Sequence, residues 1–290
     1  MIPRPADKVR FAVGLPNLGE LGDVRRLVEL GIEAEDHGWD GVFVWDHIQR
    51  DPGQPAADPW IALAAIAAGT QRVRLGALVT PLARRRPQKV ARETASLDIL
   101  SGGRLVFGAG LGSRPEAEFA DFGDEPEPRA RAEMLDEGLE VLAGLWSGEP
   151  FEFEGARFTV RAGPFLPTPV QRPRPPVWIA GRWPSKRPLR RAARWDGVFP
   201  LDDGIGEEET MAPERLAEIV AYVDEHRDDP EAPYDVVIEG CSSGTDPAAD
   251  FELVETYRKV GLTWWIERLD WLRGPLDVVR RRLAAGPPHR

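Results

Sequence analysis

One cysteine, four histidines and four lysines in 290 residues set the first limits on this chain. Cys241 alone cannot form an internal disulfide, and a thiolate metal cluster within one chain is excluded with it. His37, His47, His226 and His289 include no pair at the i, i+4 spacing that puts two ligands on one helix face, so no metal site is predicted. No apolar run approaches the roughly 18 residues that cross a bilayer. The N-terminal MIPRPADKVRF lacks the apolar centre of a secretory leader, and a cytoplasmic location is expected. Lysine is scarce although cationic residues number 37; with abundant Ala, Gly and Pro, the bias to arginine reads as the codon usage of a GC-rich genome. The net charge of −11 opposes nucleic acid and anionic lipid as partners.

What the chain does have is a regular succession of short apolar runs. They begin at Val9 (VRFAVGLP), Gly41 (GVFVWDH), Val73 (VRLGALVTP) and Arg104 (RLVFGAGLG), at intervals of about thirty residues, the length of one βα unit. Amphipathic patterns over 23–37, 58–70 and 87–100 fill the gaps, the first with Asp23 as N-cap and Gly38 as its left-handed end. The second half repeats the order, with strands over 177–181, 197–201, 235–240 and 262–267 and helices over 185–194, 213–227, 248–260 and 275–284. Eight such units predict an α/β fold of the (β/α)8 TIM-barrel type. Between strands four and five, a helix over 129–146 and the alternating FEFEGARFTV predict a helical extension and an inserted β-hairpin. The proline-rich PFLPTPVQRPRPPV returns to strand five without a core-forming segment before it, so residues 1–290 are read as one domain.

Barrels of this kind carry their chemistry at the carboxyl ends of the strands. There Asp46-His47 stops the apolar GVFVW abruptly. The pair has two readings, a capped strand end or an imidazole that hydrogen-bonds a ligand and exchanges a proton near neutral pH. GAGLG at 108–112 lacks the third glycine of a dinucleotide fingerprint, since Ser113 stands there; its bare backbone suits either a tight turn or close approach of a flat group. Ala180-Gly181-Arg182 precedes Ser185 at a helix start, where amides and a guanidinium would hold phosphate. Lys186, Arg187, Arg190 and Arg191 beyond it read equally as a solvated helix face. Arg84-Arg85-Arg86 offers a solubilising loop or a second anion contact, whereas Ser101-Gly102-Gly103-Arg104 leads into the amino end of strand four and is assigned to turn geometry. On the last strand Trp265 and Glu267 share one side and Trp264 takes the other, and Glu267 is read as a substrate contact.

Four ordered blocks, FVWDH, LGALVTPLARRRPQKVARE, SLDILSGGRLVFGAGLG and PPVWIAGRWPSKRPLRRAARWDGVFP, resemble the bacterial luciferase-like family of flavin- and deazaflavin-dependent oxidoreductases across essentially the whole chain. The resemblance implies a (β/α)8 barrel with an excursion, and coenzyme F420 or FMN at the carboxyl rim. The Asp before His47 is similar to the F420 branch. A non-prolyl cis peptide backing the ring is expected at Ala77-Leu78. Cofactor contacts are expected at Ala77, Leu78, Thr80, Gly110, Gly112, Ser113, Ala180, Gly181 and Arg182, and the resemblance puts Asp46 and His47 at the reaction, where the reading of the last strand adds Glu267. In the deazaflavin sugar-phosphate dehydrogenases a catalytic glutamate follows the third glycine. Ser113 stands at that position here, so the sugar-phosphate reaction is not carried over. The function expected is hydride transfer between F420 and a small organic substrate by a homodimer, with an FMN-dependent monooxygenase as the alternative and a non-catalytic flavin binder behind it.

Overall fold

The computed structural model describes residues 7–206 and 209–289; the first six residues, on which the expectation of no leader largely rests, lie outside them. The apolar runs fold as β1 (Arg10–Leu15), β2 (Gly41–Val44), β3 (Arg74–Ala77), β4 (Thr80–Pro81) and β5 (Phe107–Gly110). A hairpin, β6 (Phe151–Glu154) and β7 (Thr159–Ala162), precedes β8 (Val177–Trp183), β9 (Gly197–Asp202), β10 (Asp235–Gly240) and β11 (Trp264–Arg268). Nine of these form one parallel sheet in the order β3-β2-β1-β11-β10-β9-β8-β5-β4. β3 and β4 are two halves of one strand broken at Leu78 and Val79, and a parallel bridge from Leu75 to Leu105 joins β3 to the entry of β5. The ring thus has the eight positions that the spacing predicts, with its third strand interrupted.

Helices α1 (Val24–Asp36), α2 (Pro59–Gly69), α3 (Pro87–Ser101), α4 (Pro115–Glu118), α5 (Pro128–Ser147), α6 (Lys186–Ala192), α7 (Pro213–Glu225), α8 (Pro247–Arg258) and α9 (Leu276–Ala284) follow the strands. Local chemistry explains their ends. Asp23 caps α1 by accepting from the amide of Arg25 at 3.0 Å, and Gly38 takes φ +84° beyond it. Between β5 and β8 the hairpin pairs antiparallel, Phe151 opposite Ala162 and Glu154 opposite Thr159. It seats on α5 through Gly144, where a Cβ would lie 2.2 Å from the Phe151 ring. Arg104, at the foot of the barrel, donates to the carbonyls of Ala67, Thr70 and Val73, so the SGGR turn ties α2 to β3, away from the carboxyl rim.

Strand alternation divides the apolar residues into two sets. Ala12, Phe43, Val106, Trp178, Phe199, Val237, Trp264 and Ile266 fill the barrel interior as one cluster, with Phe43 and Trp178 rings 5.1 Å apart and Trp178 and Trp264 rings 5.4 Å apart. Val13, Leu15, Val42, Val44, Val236, Ile238 and Trp265 face the helices. This division decides which polar residues at the strand ends can reach a site inside the rim.

Candidate active site at the carboxyl rim

A cavity of about 650 Å³ opens at the carboxyl ends of the strands, within the size range of small-molecule and cofactor sites. Its first wall comes from the end of β2. Phe43 points into the barrel, so alternation carries Trp45 and His47 to the same side, and both line the cavity. Asp46 between them also contributes to the wall but is only 5 % exposed, and would be an unpaired buried charge without the arginines after β4. Arg84 donates to its Oδ1 at 2.9 Å and to its carbonyl at 2.7 Å, and Arg85 grips both carboxylate oxygens at 2.9 Å. The anion served by the arginine triplet is therefore the chain's own carboxylate, and of the two readings of that loop neither solubility nor ligand binding describes Arg84 and Arg85.

Arg84 reaches a second carboxylate, Glu118 Oε2, at 2.9 Å, while Glu118 Oε1 lies 2.7 Å from His47 Nδ1. Burial opposes the charge on Glu118, but the hydrogen bond and charge of His47 and the guanidinium of Arg84 prevail and hold its carboxyl below the usual range. An ionised Glu118 can only accept, so Nδ1 carries the hydrogen and Nε2 is the ring nitrogen left to a ligand. Sequence reasoning missed Glu118. It sits on the one-turn α4, entered through Arg114 at φ +51°, and nothing in EAEFADFGDEPEP separates it from its acidic neighbours.

The second wall is the interrupted strand. The cis peptide lies at Leu78-Val79, one residue beyond the expected Ala77-Leu78, and Leu78 and Val79 line the cavity. Ala77 and Thr80, read as cofactor contacts, are fully buried and off its wall; alternation through the break turns both into the outer packing, where the Thr80 hydroxyl finds no partner among the described residues. Gly110 is likewise off the wall, because its bare face is filled by the Val79 side chain, 2.6 Å from where a Cβ would be. Gly108 accommodates Ala77 in the same way. The glycines allow close approach as expected, but what approaches is the neighbouring strand.

Gly112, Ser113, Ala180, Gly181 and Arg182, read as cofactor contacts, line the cavity. Arg182 is paired with Asp203 at 2.6 Å and its side chain is 57 % exposed. Arg131, on α5, was not foreseen: it is 4 % exposed, lines the cavity and donates to the carbonyl of Leu111 at 2.9 Å. No carboxylate lies within ion-pair distance of it among the described residues, and its Nε lacks a partner. The cationic stretch of α6 serves packing instead. Arg191 holds Asp136, Arg190 the Tyr222 hydroxyl, and Lys186 lies over the Trp183 ring.

On the remaining wall Glu267 is displaced from its expected role. It shares the outward side with Trp265, is fully buried, and accepts from Ser242 and Trp265 while pairing with Arg273 and Arg282. It knits β11 to the loop after β10 and to α9. Two other carboxyls line the cavity on this side: Asp270, 3.5 Å from Arg268 Nε, and Glu239, inward like Val237 two residues before it. Burial pushes its pKa up to about 7, against the Trp45 indole hydrogen bond and Arg268, with Asp270 adding to the rise. The inward parity of Trp264 was the signal that could have exchanged one glutamate for the other.

A family profile described as luciferase-like monooxygenase matches residues 10–261. A Rhodococcus hoagii protein named F420-dependent glucose-6-phosphate dehydrogenase is 32% identical over 256 residues, covering 87% of this chain and 74% of the relative. Among solved structures, the coenzyme F420 dependent tetrahydromethanopterin reductase of Methanopyrus kandleri aligns with a TM-score of 0.76 at 18% identity, over 96% of this chain and 97% of its own. A monooxygenase from Streptomyces bottropensis aligns with a TM-score of 0.74 at 23% identity, over 96% and 98% of the two chains. At these identities the structural likenesses speak for the barrel.

Proposed function

This chain belongs to the luciferase-like monooxygenase family, and from that premise we propose that it is an oxidoreductase passing a hydride between coenzyme F420 and a small organic substrate. The observation that carries this reading is His47 at the cavity wall with Nδ1 fixed by a buried, arginine-held glutamate. The residues present fit the cofactor. Leu78 and Val79 offer an apolar shelf, and Gly112, Ser113, Ala180, Gly181 and Arg182 line the side read as the phosphate contact. Arg131 adds a buried guanidinium with no carboxylate against it among the described residues, the electrostatic complement of an anionic ligand. When bound, the deazaflavin supplies the two-electron chemistry. The chain's own part is to exclude water, to place the substrate, and at His47 Nε2 to take up or return the proton of a substrate oxygen. Glu118 keeps the ring in the productive tautomer, and His47 together with Arg84 keeps Glu118 charged.

Ser113 stands where the sugar-phosphate dehydrogenases carry a glutamate, which supports a substrate other than a sugar phosphate. In the same reading residues 1–290 act as a single domain, as a homodimer in the cytoplasm and without nucleic acid; the net charge of −11 supports the last point, and none of the helices among the described residues is long and apolar enough to cross a membrane.

The test is titration of the apo-protein with oxidised F420 and, separately, with FMN, followed by fluorescence. Binding of F420 and not FMN is expected. FMN alone would move the chain to the monooxygenase reading, and binding of neither would end both. His47→Ala should keep the cofactor and lose about 10²-fold or more in turnover; unchanged turnover would remove His47 from the chemistry.

A further inference from the structure

The wall across from the Leu78–Val79 shelf holds one carboxyl without a cationic grip. β10 is the seventh position of the ring and the interrupted strand the third, so Glu239 faces the shelf from the opposite side. Two features of neighbouring strands make room for it. Gly14 on β1 presents bare backbone; a Cβ there would lie 3.1 Å from Glu239 Oε1 and 2.9 Å from Ile266. Trp45, beyond β2, donates its indole N–H to the same Oε1 at 3.3 Å. Oε1 is thus enclosed, and the other oxygen has no protein partner among the described residues while the side chain lines the cavity.

Charged groups do little to ionise Glu239. Arg268 and Asp270 act on it with opposite signs, and Arg268 Nε lies 3.5 Å from Asp270 Oδ2. From β9 the cavity lining brings Phe199, Pro200, Leu201 and Asp202, the last paired with Arg215 at 3.1 Å, and β1 turns only the bare backbone of Gly14 toward Glu239. Trp45 is uncharged, though it stands edge-on to His47 with ring centres 5.8 Å apart, which puts the carboxyl and the imidazole on either side of one indole.

We propose that Glu239 is a specificity-determining residue of this site: a neutral carboxylic acid whose free oxygen donates a hydrogen bond to the carbonyl or hydroxyl oxygen of a bound, uncharged substrate. A carboxylic acid kept neutral in an apolar niche donates where a carboxylate can only accept. A substrate bearing a carboxylate at this wall would gain the same hydrogen bond only while Glu239 keeps its proton, and would be repelled once it is lost. The inference rests on the hydride-transfer reading in placing the substrate on this wall.

The experiment follows the carboxylic acid C=O stretch by infrared spectroscopy between pH 5 and 9, with and without oxidised F420, in wild type and Glu239→Gln. Cyclohexanone serves as a neutral carbonyl probe and cyclohexanecarboxylate as its anionic counterpart; oxidised cofactor and a ketone cannot turn over. Wild type should show an acid band that disappears near pH 7 and is missing in Glu239→Gln. Cyclohexanone should shift the band and keep it to higher pH, its affinity falling about tenfold per pH unit once the band is lost. Glutamine, still a donor, should bind the ketone without that pH dependence. Absence of the band at pH 6, or ketone affinity equal at pH 6 and 9 in wild type, would overturn the proposal; both are read on wild type and need no variant to fold. Failure of F420 to bind while the ketone results hold would count against the cofactor assignment alone.

Discussion

The two sides of the cavity use the same functional group in opposite ways. On the β2 side, Asp46 and Glu118 are almost completely buried, yet Arg84 and Arg85 supply each with a guanidinium, and Glu118 is held below the usual carboxyl range. On the β10 side Glu239 receives one indole hydrogen bond and two charges of opposite sign, and burial raises it to about 7. Burial disfavours the charge on both Glu118 and Glu239; what sets them apart is the supply of cationic and hydrogen-bonding partners. With His47 Nε2, oriented by the Glu118 carboxylate, on one side and a carboxyl available as a donor on the other, the site can contact a substrate oxygen from both sides.

The most damaging way to break this contrast is to remove the shared cation. Arg84→Met should strand Asp46 and Glu118 as partly uncompensated buried charges and lower stability by about 3–5 kcal/mol, measured by urea unfolding. A loss below about 1 kcal/mol would mean that Arg85 alone sustains the wall. Glu239→Gln sharpens the contrast from the other side. With a folded value near 7 against 4.5 unfolded, the wild-type chain sheds this proton more easily when unfolded. Its contribution to stability is therefore intact below about pH 4.5, falls as pH rises to 7, and is a constant penalty above. The glutamine variant should be no more stable than wild type at pH 4.5 and more stable at pH 7.5, by up to about 3 kcal/mol. Parallel pH profiles would show Glu239 to be ionised. The smallest effect is expected at Thr80, between the two walls and facing neither. Thr80→Val removes a buried hydroxyl that has no partner and should raise the melting temperature slightly, equivalent to about 1 kcal/mol; a drop would place an acceptor beside it.

Much of this was legible in the chain. The βα spacing predicted eight barrel positions, and the abrupt Asp46-His47 after GVFVW marked a residue that does line the cavity. Gly112, Ser113 and Gly181 were found by the same rule, that polar or bare residues at a barrel strand's carboxyl end face the site. The rule failed where inside and outside were left undecided. Glu267 and Glu239 both end apolar strands, and the parity that separates them depends on which tryptophan enters the barrel. It failed again at Ala77, Thr80 and Gly110, because the break in the third strand shifts the alternation and lets Val79 occupy the space beside Gly110.

By itself the sequence determined the barrel, its rim and the neighbourhood of His47, since periodicity and strand-end chemistry are local properties. Tertiary structure alone decided the partners and charge states. Glu118 reaches His47 across 71 positions and Trp45 reaches Glu239 across 194. Whether each carboxyl keeps its charge follows from what burial and those distant groups do together, and no window along the chain contains either.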